Sequence, residues 1–199
     1  MARRRVGLFG GSFNPPHLAH LIVAEQVCEQ ARLDLVLWVP CHIPPHKDEQ
    51  ELAAPHHRLA MVQLAIEGNP FFAVSDVEIR RGGRSYTIDT IRQLQDQHPD
   101  WELMLILGED SLRTLHTWRA PDEIIARVPL VVYRRPGAPE NPVASRFLSR
   151  TTFVEAPVLA ISATEIRQRC RQGRSIRYLV PEAVRQYILK NQLYHGGLR

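Results

Sequence analysis

His17 and His20 stand three residues apart, directly behind Gly10-Gly-Ser-Phe-Asn-Pro-Pro16. Val6 to Phe9 is a short apolar run that suits a buried strand, and the two prolines oppose a helix until Pro16. From Leu18 to Gln30 the periodicity is helical, so both imidazoles fall in the first turn and on one face. A strand, a tight glycine turn and a helix N-terminus leave backbone N–H groups and the positive end of the helix dipole facing outward. That arrangement is an anion site, and phosphate is the expected guest. Two imidazoles beside it can donate hydrogen bonds to an oxyanion whose charge grows as phosphorus gains a fifth ligand. The dipole disfavours imidazolium in the empty protein, whereas a bound polyphosphate favours it. The competing reading of a short H-x-x-H is structural, with one histidine capping the helix and the other packing. Zinc fits less well, because no third ligand is near and the H-E-x-x-H spacing is absent.

The elements that must hold these residues alternate strand and helix. Leu33 to Pro40 is a second apolar strand at the distance a βαβ unit requires, so a parallel sheet is expected. Parallel strands end on one edge, which brings the loop carrying His46 and Lys47 to the same side as the glycine turn. A helix over His56 to Glu67, a strand over Phe71 to Val77 and a basic loop from Arg80 follow, the loop running into a helix with Ser85 or Thr87 as N-cap. Glu102 to Leu107 reads as the central strand, and Gly108 opens the next turn. There Asp110 is either an acceptor for a ribose or base amine or simply an N-cap. After a short helix at Asp122 to Arg127 come a strand ending in Arg134, a surface loop over 138–150 and a last strand at Thr151 to Glu155. Ser162 then caps a helix with Glu165 at the capping-box position, where Thr164 and Arg167 add an anion-facing start. Pro181 to Tyr194 is a terminal amphipathic helix, expected to pack through Val184, Tyr187, Ile188, Leu189 and Leu193.

With 199 residues, 44% of them hydrophobic and 23% charged, the chain has the composition of an ordinary globular protein, and one domain is expected, with a helical C-terminal portion from about residue 162. No apolar run approaches the roughly 20 residues of a membrane helix. Met1-Ala-Arg-Arg-Arg5 leads into a glycine-broken strand and not a signal segment, so a cytoplasmic location is expected. Cys28, Cys41 and Cys170 are odd in number and far apart, which fits a reducing compartment. Cys41, His42 and His46 form no complete metal set. The net charge of +4 favours acidic ligands, with nucleotide and nucleic acid both open.

Gly10-Gly-Ser-Phe-Asn-Pro-Pro-His-Leu-Ala-His20, Pro44-Pro-His-Lys47, Ser85-Tyr-Thr-Ile-Asp-Thr90, Gly108-Glu-Asp110 with Trp118-Arg119, and Ile161-Ser-Ala-Thr-Glu-Ile-Arg167 together resemble the bacterial nicotinate mononucleotide adenylyltransferases of the H-x-G-H superfamily. The likeness runs in order over nearly the whole chain. It implies a Rossmann-like, doubly wound, mostly parallel sheet with helices on both faces. It also implies adenylyl transfer from ATP, with Mg2+, to nicotinate mononucleotide, giving deamido-NAD and pyrophosphate. Carried over by position, His17 and His20 would be catalytic. Gly10, Gly11, Ser12, Phe13, Gly108, Asp110, Arg134, Ser162, Thr164 and Arg167 would bind ATP. Lys47, Ser85, Tyr86, Thr87, Trp118 and Arg119 would bind the mononucleotide, with backbone amides around Tyr86 and Thr87 reading the nicotinate carboxylate. No protein-held metal and no nucleic-acid or membrane partner are expected, and the chain is expected to be a monomer or small homo-oligomer. Ala19 occupies the position of the pattern's glycine, Asn14 that of a frequent aspartate and Ala163 that of a frequent serine.

From the residues alone no nucleophile with its own base is visible, and a mononucleotide phosphate is already an anionic nucleophile at neutral pH. In-line attack on the α-phosphorus follows, with catalysis by positioning and charge stabilisation. Two rivals differ from this reading. One changes the acceptor to nicotinamide mononucleotide or phosphopantetheine. The other is a non-catalytic nucleic-acid-binding module using Arg3 to Arg5, Arg80, Arg81, Arg84 and Arg167 to Arg177, although interleaved aromatics for base stacking are missing.

Overall fold

A computed structural model describes residues 3–45, 52–134, 145–157 and 159–195. Six strands, β1 (Arg4–Gly11), β2 (Leu35–Pro40), β3 (Phe72–Val74), β4 (Trp101–Gly108), β5 (Leu130–Arg134) and β6 (Thr151–Glu155), form one sheet in the order β3-β2-β1-β4-β5-β6. Every pairing is parallel. This is the Rossmann-like doubly wound order, and the winding reverses between β1 and β4, where a ligand crevice is expected beyond the strands' carboxyl ends.

The strands are apolar on both faces because helices cover both sides. Leu8, Leu37 and Leu105 belong to one buried cluster, while their neighbours Phe9, Trp38 and Ile106 belong to the other. Gly7 on β1 fits this crowding, since a Cβ there would lie 2.6 Å from the Cδ1 methyls of Ile106 and Leu33 and would force them to shift. Helix α1 (Leu18–Gln30) buries Ala24, Val27 and Cys28. Helix α2 (Pro55–Ile66) is shared between two cores: Val62 and Ile66 pack with Trp38, whereas Met61 packs with Ile166, Val184 and Ile188. The latter three lie on the C-terminal helices α8 (Ala163–Arg171) and α9 (Glu182–Lys190), which follow α3 to α7 in the chain.

Several sequence expectations are corrected. β1 continues through Gly11, paired to Pro40, so the turn begins after the glycines. The third strand ends at Val74, and Val77–Arg81 is a short helix, α3, which buries Val77 and Glu78 and stops at Gly82 (φ +71°) and Gly83 (φ +66°). Burial of Val77 in the core and of Glu78, which accepts the Thr90 hydroxyl, overrides the β-branched local pattern there. Helix α4 (Thr87–Gln97) has Tyr86 as N-cap with no side-chain cap, because the Ser85 hydroxyl is engaged elsewhere. Asp110 is inside helix α5 (Glu109–Thr114), whose N-cap is Gly108, so it is not a cap; a 3-10 turn (Leu115–Thr117) and α6 (Pro121–Arg127) follow. The expected 138–150 loop contains α7 (Ser145–Leu148), anchored by buried Phe147, while 135–144 lie outside the described residues. On α9, Leu189 is exposed; Val184 and Ile188 form the buried stripe. Ser162 caps α8 as expected, accepting from the Glu165 amide at 3.1 Å.

Candidate active site

β1 delivers Ser12 and Phe13 past the sheet edge, and His17 is the N-cap of α1. The backbone N–H of His17 donates to His20 Nδ1 at 3.2 Å, and the two rings stack with centroids 3.7 Å apart. With Nδ1 accepting, the proton of the neutral His20 ring sits on Nε2. The structural and chemical readings of this pair therefore coexist, since the bond that closes the helix start also fixes the tautomer. Phe13, at φ 45°, packs its ring edge-on to His20 (5.3 Å) and against Trp38 (5.1 Å), so it acts as a wall behind His20. His17 is buried, and burial lowers its pKa from 6.5 to about 4, which keeps it neutral at pH 7.

Two adjoining cavities meet at this pair. One, of about 580 Å³, is lined by His17, Ala19, His20, Gly108, Asp110 and Arg134 among others. The second, of about 910 Å³, is lined by Gly11, Ser12, Phe13, Ser162, Thr164 and Arg167 among others. Both include His17, His20, Ser111, Tyr133 and Ile161, so they form one groove. Gly10 is exposed and lines neither. Gly108 approaches Tyr133 closely: a Cβ there would lie 3.0 Å from the tyrosine oxygen. Asp110 forms an ion pair with Arg113, and both border the first cavity. In the second, Arg167 is buried, donating to the Asn14 carbonyl at 3.2 Å and to Thr164 Oγ1 at 3.5 Å. Asn14 Oδ1 in turn accepts from the Ala53 amide (3.0 Å) and the Tyr194 hydroxyl (2.8 Å).

A separate pocket of about 350 Å³ is lined by Ser85, Tyr86, Thr87, Trp118 and Arg119, with Pro45 and Thr117. The N-terminus of α4 opens onto it through Tyr86 and Thr87, and Tyr86 as N-cap provides no side-chain cap. The Arg119 guanidinium lies 4.7 Å above the Tyr86 ring and 3.4 Å from Asp89. Ser85 is buried, and its Oγ accepts the His42 amide at 2.9 Å. Beneath it, Glu78 receives the Thr90 hydroxyl at 2.5 Å, and burial raises its pKa against the opposing pull of Thr90, Ser85, Arg81 and Arg58. Lys47 lies outside the described residues.

Sequence reasoning missed Arg58, Tyr133 and Arg113. For Arg58 a signal existed: it shares the 3.6-residue stripe of Met61, Val62 and Ile66, where a charge has no reason to be unless its donors are used. Tyr133 read only as the end of a strand.

Residues 8–169 match the cytidylyltransferase-like family. A Salinibacter ruber protein described as a probable nicotinate-nucleotide adenylyltransferase is 59% identical over 95% of this chain and 97% of its own. One of the same description from Lactiplantibacillus plantarum is 47% identical, over 96% and 88%. Among solved structures, the Plasmodium falciparum nicotinic acid mononucleotide adenylyltransferase complexed with NaAD superposes with a TM-score of 0.78 at 19% identity, covering 96% of this chain and 97% of that one. At that identity the superposition speaks for the fold alone. The family match and the near-full-length relatives place this chain in the cytidylyltransferase-like family, among the nicotinate-nucleotide adenylyltransferases.

Proposed function

We propose that the chain joins ATP and nicotinate mononucleotide into deamido-NAD, releasing pyrophosphate. The observation that carries this is the continuous groove in which His17 and His20 stand between an adenosine-sized lobe at Gly108 and a basic lobe at Thr164 and Arg167. In that groove the base and ribose take the Gly108 and Asp110 side, and the β- and γ-phosphates take Ser162, Thr164 and Arg167. A phosphate oxygen of the mononucleotide attacks the α-phosphorus, its bond forms as the bond to the β-phosphate bridging oxygen breaks, and that oxygen leaves with pyrophosphate. His20 Nε2–H donates to the non-bridging oxygen that gains charge. Binding and in-line orientation supply the remainder.

The acceptor's ring is assigned to the Tyr86 and Trp118 pocket. The N-terminus of α4 opens onto that pocket beside the Arg119–Asp89 pair, and its amides and the Arg119 guanidinium favour a nicotinate carboxylate over a neutral amide. Among the described residues no three His, Cys, Asp or Glu side chains gather as a metal site. The donor set suits Mg2+ arriving as part of the ATP complex, held by phosphate oxygens and water. No described helix is long and apolar enough to cross a membrane. Initial rates of pyrophosphate release with nicotinate mononucleotide, nicotinamide mononucleotide and phosphopantetheine test the assignment. Nicotinate mononucleotide should be preferred by at least tenfold in kcat/KM, the scale of one well-placed ionic contact. A preference for either other acceptor removes it.

A further inference from the structure

Arg58 is not among the residues lining the groove or the Tyr86 pocket, yet it joins the walls of both. It is fully buried on α2, and its guanidinium donates to backbone carbonyls from three segments. Nε reaches Ala53 O at 2.9 Å, Nη1 reaches Ser12 O at 3.0 Å and Cys41 O at 2.6 Å, and Nη2 reaches His42 O at 2.7 Å. Ser12 is part of the triphosphate-side wall. His42 belongs to the loop after β2, and its amide donates to Ser85 Oγ at 2.9 Å while the Ser85 amide donates to Ile43 O at 2.9 Å. Ser85 is part of the wall of the Tyr86 and Trp118 pocket. A chain of hydrogen bonds therefore runs Ser12–Arg58–His42–Ser85 from one pocket to the other.

Resting on the proposed function, we infer that Arg58 is the positioning residue that fixes the distance between the ATP groove and the mononucleotide pocket. The rigid fork of a guanidinium satisfies carbonyls in several directions at once, which a lysine ammonium on a flexible stem cannot do from the same place. A buried charge with its donors used also resists displacement, since moving either loop strands a donor. Transfer between two bound nucleotides depends on their separation, and a misplacement near 1 Å can cost about a hundredfold in rate. Arg58 thus acts on the reaction through loops, without meeting either substrate.

The test uses Arg58→Lys and Arg58→Gln in the full chain, well below their melting temperatures, with Val184→Ala as a control. Val184 is buried in the C-terminal cluster and lines none of the three pockets, so its truncation lowers stability without touching this network. Both Arg58 variants should lose about 10- to 100-fold in kcat and raise KM for both nucleotides, while the control keeps all three values. Unchanged kinetics in the Arg58 variants overturn the inference, and so does an equal loss in Val184→Ala. Should the Arg58 variants not fold, hydrogen exchange on the unmodified chain decides. ATP alone should slow exchange of the His42 and Ser85 amides several-fold, and protection confined to the groove side overturns the coupling. A chain that releases no pyrophosphate with nicotinate mononucleotide would refute the function while leaving this exchange readout intact.

Discussion

Replacing His17 by glutamine should flatten the acid limb of the protein's stability curve. Burial holds the His17 pKa at about 4 against an ordinary 6.5. The unfolded chain therefore takes up a proton near pH 6.5 and the folded chain only near pH 4, so stability is complete above the first value and is lost as pH falls through the window to the second. At about 1.4 kcal/mol per unit, the His17 contribution to that loss is on the order of 3 kcal/mol. Other groups titrate in the same range, so the informative quantity is the difference between the two chains. Urea unfolding of the unmodified protein and of His17→Gln, from about pH 7 to pH 4, should show the unmodified chain losing about 3 kcal/mol more than the variant. The same linkage reverses when a polyphosphate binds, because its charge favours imidazolium. ATP binding near pH 5.5 should then take up a fraction of a proton, measurable by calorimetry in buffers of different ionisation enthalpy. Parallel stability curves for the two chains would refute the assignment of a depressed pKa to His17, and with it the proton uptake.

Removing the oxyanion donor in His20→Ala should lower kcat by roughly 10²- to 10³-fold with the fold retained, read by steady-state kinetics beside circular dichroism. Arg167→Met should raise the KM for ATP by about tenfold or more, the scale of one charge-assisted hydrogen bond, and leave the mononucleotide KM nearly unchanged. The two glycines separate cleanly. Gly108→Ala must push the Tyr133 ring and should raise the KM for ATP, whereas Gly10→Ala meets nothing within 4 Å and should leave it unchanged.

The architecture was legible because the apolar runs are strong and regularly spaced. Val6 to Phe9, Leu33 to Pro40 and Glu102 to Leu107 all fall within or overlap strands of the parallel sheet, and α1 spans Leu18–Gln30 as the periodicity indicates. Short elements escaped: α3 is held by burial of Val77 and Glu78, and α7 by Phe147, which are tertiary facts without a local signature. At the site, the described residues named by motif, Gly10 excepted, gather into two regions, the groove around His17 and His20 and the pocket around Tyr86 and Trp118. Their division of labour was less visible. Ser85 and Phe13 serve walls through bonds and ring contacts behind them, and the part Arg58 plays depends on carbonyl partners from three separate segments. Spacing along a chain reports which residues share a helix face, but not which loop carbonyls a guanidinium will meet across the sheet.

Direct transfer at the His17–His20 junction is tested most plainly by following label from ATP carrying ³²P at the α-position. With nicotinate mononucleotide present, the label should pass entirely into deamido-NAD, one pyrophosphate appearing for each dinucleotide, and none should remain on the acid-precipitated chain. Label retained on the protein, or pyrophosphate released without a labelled dinucleotide, would contradict it.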